Sequence, residues 1–431
     1  MNLSLKIRKN LVVPALLFYY VIISIIFTKY ISVYFGYQGF RFSLSYSCLY
    51  VSFFVVVVTA FQVERLLNRR LFSDCIVVLV SIMYLFPVCV LFAFSNNDVE
   101  YFLFVLLYFM FLNFFNEFVN VSDKKISVRS KANLFYGAFI ILGFMMIVIS
   151  GAYTGFRISL DLSDVYEYRM EAREYAMPFF LRYPFSWTVY ILPVGLMCSL
   201  VKGKKLLSVY LCFCQILCFS FNGKKTVLFS LILVLLINLL YRKSKNLDLL
   251  TPYAFFSLGA LSFVEVMAKG SEAFLAKAFI RRMMFVPAYL GSIYYDFFKH
   301  NELDYLRSSF LRYFGFTSPY VDSIPRTIGR VYFNAPEMNA NTGLCGDAFS
   351  NFGWLGVVIY PFLIILLVKV LDKYMSNVEI QVKFIVMILL SYMFLNGSYF
   401  KLLLTNGIFI LLLILIMYPI DESQLTDGKI G

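Results

Sequence analysis

Arg169 and Arg173 stand four residues apart in a stretch that opens on Asp164-Val-Tyr-Glu167 and stops before Pro178. An aspartate followed three residues on by a reciprocal acid is a helix start, and proline ends the run. A spacing of four then puts both guanidinium groups on one face, with Tyr166 at its border. Planar guanidinium forks take phosphate or sugar oxygens two at a time, and a tyrosine ring offers a flat surface to a sugar. The plainer alternative is an exposed helix whose arginines pair with Glu167, Glu171 and Glu174, contacts of small energetic weight.

Other residues further along can do related chemistry. Asn222-Gly-Lys224-Lys225-Thr226 puts two ammonium groups at the start of a helix, where they add to its positive end and suit a diphosphate. Their bland reading is two lysines reaching for lipid headgroups. Arg281-Arg282 precede Pro287, and Tyr294-Tyr295-Asp296-Phe297-Phe298 follows. Desolvation by such neighbours is how a carboxylate becomes a general base near neutral pH, although Asp296 could equally be a surface acid paired with arginine. His300 is the one histidine of the chain, so no zinc site can be built on histidines. Asn339-Ala-Asn341-Thr-Gly343 and Gly346-Asp347 close the stretch; amides suit sugar hydroxyls, and Asp347 is a second possible acid or base. Gly353 and Gly356 read as helix-packing glycines.

The elements that hold these residues follow from composition. The 431 residues are 61% hydrophobic and 15% charged, with a mean hydropathy of +0.78. The apolar residues gather in runs of roughly 16–22, the length that spans about 30 Å of hydrocarbon as a helix. A soluble enzyme, a nucleic-acid binder and a secreted domain are excluded. The expected fold is all-α and polytopic, with about twelve spans near 11–29, 43–61, 75–95, 101–118, 133–151, 185–201, 206–221, 226–241, 250–268, 352–371, 384–398 and 402–419. The net charge of +13 sits in alternate connections, around Arg65–Arg70, 124–131, 202–205 and 242–245. Short loops of the other set carry only Lys29, Arg41, Lys224, Lys225 and Lys401. Positive charge marks the cytoplasmic side, so both termini are expected there. Two outer connections, 152–184 and 269–351, are too long for turns and hold the residues above. Seven of the eight cysteines fall in apolar runs and Cys345 in a polar loop, which excludes a disulfide framework.

The order of these features resembles a known family. Asp-Val-Tyr-x-x-Arg at 164–169, Gly-Lys at 223–224, Tyr-Tyr-Asp-Phe-Phe at 294–298 and Asn-Ala-Asn-Thr-Gly at 339–343, set in two large outer loops, are similar to the Wzy-type O-antigen polymerases of bacterial inner membranes. The resemblance implies a fold like that of the GT-C glycosyltransferases. It implies transfer of a growing glycan from undecaprenyl diphosphate onto a new lipid-linked oligosaccharide repeat unit at the periplasmic face, without metal or cofactor. Arg169 and Arg281 would then face the reacting diphosphate and Asp296 or Asp347 the acceptor hydroxyl. Tyr166, Arg173, Lys224, Lys225, Arg282, Tyr295, Asn339 and Asn341 would bind substrate. Membrane lipids and a chain-length regulator are the implied partners, with no nucleic acid. An O-antigen ligase-like enzyme or a flippase for the same lipid-linked unit are the alternatives. The ligases place a histidine ahead of Gly-x-x-Gly, and none occurs after 300 here. A flippase would need charges within the spans and related halves.

Overall fold

The computed structural model describes residues 11–69, 71–95, 98–121, 131–156, 158, 178–243, 246–375 and 378–419. These residues are mostly helical, with no strand among them. The chain is an all-helical membrane protein. Among the described residues, eight helices are long and apolar enough to cross a bilayer, or nine if a bent pair counts as one span. The eight are α1 (Val12–Gln38), α2 (Tyr46–Arg69), α3 (Phe72–Phe94), α4 (Val99–Phe118), α5 (Ala132–Tyr153), α9 (Lys225–Lys243), α10 (Leu249–Glu272) and the run Gly343–Tyr374. That run divides at a tight turn into α13 (Gly343–Phe352) and α14 (Gly356–Tyr374). Between α5 and α9 come α6 (Phe179–Trp187) and α7 (Ile191–Val201), a pair bent by 44°, and then α8 (Lys205–Asn222). After α10 come α11 (Val286–His300) and α12 (Ile324–Phe333), and after α14 come α15 (Ile380–Asn396), α16 (Tyr399–Leu404) and α17 (Ile408–Ile416).

The last expected span, 402–419, is not one helix. Thr405-Asn406-Gly407 is a stop signal inside an apolar run. Gly407 takes a φ of +83°, and a Cβ there would lie 2.6 Å from the ring of Trp187. The indole occupies the space that a continuous helix would need. The second long connection is itself helical over much of its first part. Ala276–Phe285 forms a π-helix that runs directly into α11, and α11 is buried along most of its length. Cys345, expected in a polar loop, is buried in α13.

α3 lies at the centre. Its sequence is apolar on every side, which suits a helix surrounded by other helices, and its whole spanning stretch is buried. Leu71 has no side chain that can cap the helix. The backbone N–H groups of Phe72 and Ser73 instead donate to Asp372 of α14, at 2.9 and 3.2 Å. At the same end Arg69 binds Asp74 with two nitrogens, at 2.5 and 2.9 Å, and reaches Glu117 with a third. Asn116 donates to Asp74 at 2.6 Å, and Arg65 joins Glu117. One guanidinium thus ties α2, α3 and α4 together. We refer to this as the Arg69 end of the bundle, and to the opposite end as the Lys224 end.

The fold depends on that cluster. Replacing Arg69 by Ala leaves the fully buried Asp74 without its cation, which costs about 3–5 kcal/mol. A much smaller loss is expected for Arg65→Ala, because Arg65 is 65% exposed. Thermal unfolding of the purified protein separates the two, and equal melting shifts would show that the cluster is not a structural tie.

Candidate functional site

The turn between α8 and α9 depends on Gly223, whose φ of +60° ends α8 in the left-handed region. Lys224 follows. Its ammonium donates to the carbonyl of Phe185 at 3.3 Å and stands 3.9 Å from the centre of the Phe185 ring. That carbonyl lies in the last turn of α6, which stops at Trp187, and it also accepts the Thr188 hydroxyl at 3.3 Å. Lys225 is the first residue of α9, and one turn on, Phe229 touches Phe279 of the π-helix. The contact brings the helix that starts at Lys225 against the one that carries Arg281 and Arg282.

Arg281 is half-buried. It donates to the Gln38 side-chain oxygen at 2.7 Å, and its guanidinium lies 4.1 Å from the centre of the Phe35 ring. Its Nε–H is buried and has no acceptor. Among the described residues no carboxylate pairs with it. Burial, with Arg282 beside it, holds its pKa below the usual arginine value, though a guanidinium stays charged at any physiological pH. Arg282 is exposed.

The backbone around Arg281 is unusual. The ten-residue π-helix Ala276–Phe285 packs against a second π segment, Ser81–Leu85 in α3. It meets a third, Phe27–Ile31 in α1, where Phe27 and Phe285 stack at 5.4 Å. Wide π turns are rare and concentrate at functional sites. Gln38 itself is set by Gly39, whose φ is +100° and whose missing Cβ leaves room for the Tyr289 hydroxyl.

The other expected residues lie elsewhere. Asp296 is about 15 residues along the same helix from Arg281, roughly 20 Å away. It is exposed, on the face opposite Tyr294, Tyr295, Phe297 and Phe298, and accepts from the Tyr332 hydroxyl at 2.5 Å. The aromatic neighbours do not desolvate it, because the helical turn directs them inward and Asp296 outward. Tyr295 is buried against Phe349, 4.3 Å between ring centres, and its hydroxyl donates to Glu100. Its ring is enclosed by protein rather than presented to a sugar. Asn339 is exposed. Asn341 donates to Asn396 at 2.8 Å.

Asp347 is buried. One carboxylate oxygen accepts the backbone N–H of Tyr399 at 2.7 Å, and the other accepts from Asn351 at 3.2 Å. It thereby caps α16 and fastens α13 to it. Gly343 makes the approach possible: with φ at +68°, a Cβ there would stand 2.6 Å from the Leu395 carbonyl. Tyr166, Arg169 and Arg173, with the helix expected to hold them, lie outside the described residues.

Three residues had no signal in the sequence. Gln38 and Phe35 flank Arg281, but a lone amide and a phenylalanine at a helix end are unremarkable. A third, Asp304, is fully buried and holds Ser308 and Ser318 in the loop after α11. Beside it, Tyr305 and Leu306 have positive φ, and the Leu306 N–H is held by Asn351 at 2.8 Å. Asp304 follows the polar run Asn301-Glu302 and looks like any surface acid until the fold is seen. Among the described residues no cluster of His, Cys, Asp and Glu could hold a metal ion. No protein-family model matches the chain, and neither a curated protein nor a solved structure matches it.

The arrangement therefore turns Lys224 onto Phe185 and Arg281 onto Gln38 and Phe35, joins the Lys225 helix to the π-helix through Phe229 and Phe279, and leaves the two aspartates in different settings. Asp347→Ala should destabilise the protein by about 2–3 kcal/mol, because the Tyr399 and Asn351 donors lose their acceptor in a buried place. Asp296→Asn should leave stability within about 0.5 kcal/mol of the parent. Thermal unfolding of both variants checks the contrast, and a larger loss for Asp296→Asn would reverse the assignment.

Proposed function

We propose that this protein is a membrane glycosyltransferase that joins oligosaccharide repeat units carried on undecaprenyl diphosphate, an O-antigen or related surface-polysaccharide polymerase of a bacterial inner membrane. In this reading the Lys224 end faces the periplasm and both termini the cytoplasm, about twelve spans in all, as the charge of the loops predicts. The architecture is GT-C-like, and a chain-length regulator acts alongside it.

The observation that carries the reading is Arg281. A half-buried guanidinium with a neutral partner on one side, an aromatic ring on another and an unsatisfied Nε–H is built to receive an anion. Lys224 and Lys225 open a helix that touches the π-helix through Phe229 and Phe279, and in this reading they add positive potential on that side. When the glycosyl bond to a diphosphate carrier breaks, negative charge grows on the leaving phosphate oxygens. Cations already fixed in place stabilise that charge without reorganising. The acceptor hydroxyl loses its proton as the new bond forms, and the departing diphosphate is released with its lipid. Asp347 serves as a structural tie in this reading, and Asp296, roughly 20 Å from Arg281 along the same helix, lies too far away to take the proton of an acceptor that reacts beside Arg281.

Deleting the gene in its host and separating the surface polysaccharide on a gel tests the proposal. A polymerase is expected to leave lipid A–core with a single repeat unit and no ladder, because flipping and ligation continue. Core without any repeat unit would point to a flippase or ligase instead, and an unchanged ladder would end the assignment. In a complemented strain, Arg281→Ala is expected to slow elongation on the order of 100-fold. Arg281→Lys should restore little, since one ammonium cannot serve Gln38 and a phosphate together.

A further inference from the structure

The Arg69 end carries a second basic feature, and it does not depend on the proposed activity. A groove of about 690 Å³ lies between α5 and α8, lined by Tyr136, Ile140, Gly203, Lys204, Lys205 and the side chains that follow to Tyr210. Its depth follows from two glycines. Gly143 draws the helices together, since a Cβ there would meet Tyr210 and Cys214 at 3.2–3.3 Å. The Tyr210 hydroxyl donates to the Ile140 carbonyl at 2.9 Å and closes that side. Gly203, with φ at +66°, turns the chain out of α7 and into α8.

The charges in the groove differ from those beside it. Lys202 pairs with Glu379 at 2.7 Å, and the Tyr418 hydroxyl also binds Glu379. That carboxylate is engaged. Lys204 stands 5.5 Å from the Tyr136 ring centre and Lys205 is exposed. Among the described residues, no carboxylate pairs with either. From the groove an exposed apolar strip runs along the two helices towards mid-bundle: Leu206, Val209 and Phe213 on α8, with Ile140 and Phe144 on α5.

We infer that this groove binds an anionic phospholipid, its phosphate on Lys204 and Lys205 and an acyl chain along the strip. A free anion would use the lysines and leave the strip bare. A zwitterionic lipid would bring its own cation to a site that already holds two. Basic pockets between spans that open onto an apolar surface suit anionic headgroups.

Native mass spectrometry of the full-length protein tests the site, with dioleoylphosphatidylglycerol and dioleoylphosphatidylcholine as matched probes. The parent protein should retain the glycerol lipid about tenfold more than the choline lipid. Lys204→Glu/Lys205→Glu should abolish the preference, and Lys204→Arg/Lys205→Arg should keep it. Should charge reversal impair folding, Lys204→Gln/Lys205→Gln reads the same contrast. Arg242→Gln/Lys243→Gln, at the same end but outside the groove, should leave the preference intact. No headgroup preference in the parent, or a preference that survives loss of both groove lysines, would overturn the inference. Equal loss in the Arg242/Lys243 variant would assign the effect to diffuse surface charge, and displacement of the lipid by millimolar inorganic phosphate would make this a site for free anions.

Discussion

A hydrocarbon interior offers no hydrogen bonds, so each backbone group that enters it must find a partner within the chain. Helices meet that demand along their length but not at their ends, and the bundle is arranged around those ends. α3 shows this most directly. It is buried on all sides, so water cannot reach the first N–H groups of its opening turn, and Asp372 crosses from α14 to accept two of them. Asp347 does the same for α16 through Tyr399. Some hydroxyls inside the spans turn back on their own helices, as Ser24 does on Tyr20 and Ser81 on Val77. Once these needs are met, few polar groups remain to distinguish one surface of the bundle from another.

The three π segments are departures from that economy of form. A π turn widens the helix and weakens its packing, so a ten-residue π stretch persists only where tertiary contacts hold it. Here the contacts are with the other two π segments and with the end of α1: Phe285 on Phe27, Tyr30 donating to the Ala273 carbonyl at 3.1 Å, and Tyr19 donating to Met284. The wide turn sets Arg281 between Phe35 and Gln38. The strained backbone and the underused guanidinium therefore belong to one local arrangement.

Much of the architecture was legible because a bilayer imposes a length, and uninterrupted apolar runs register it. Residues 75–95, for instance, read as a span and fold as one. Legibility failed where a local stop signal sat inside such a run, as at Gly407, and where apolar runs ended but burial continued, as in α11 and around Cys345. In the site, Lys224 and Lys225 were readable because they break the expected bias of the short loops, and Arg281 and Arg282 because they form an adjacent basic pair shortly before Pro287. Their partners were not, since Gln38 and Phe185 are joined to them only by the fold. The Tyr-Tyr-Asp-Phe-Phe run misled for a simpler reason. Adjacent residues on a helix point about 100° apart, so four aromatics bordering an acid in sequence need not surround it in space.

The two ends of the bundle use the guanidinium group in opposite ways. At the Arg69 end it is bound through three nitrogens to two carboxylates, and its charge is neutralised where it stands. Such a cluster holds helices together but has nothing left to offer a ligand. At the Lys224 end Arg281 has an amide oxygen and a ring, partners that orient a cation without cancelling it. Its desolvation cost is therefore met by folding rather than by a counter-ion. An anion arriving there encounters a charge already stripped of part of its water and already fixed in direction, which is the condition under which electrostatic stabilisation is strongest. The same residue type, in the same chain, is neutralised in a structural tie or keeps its charge uncancelled according to whether its neighbour is a carboxylate or an amide.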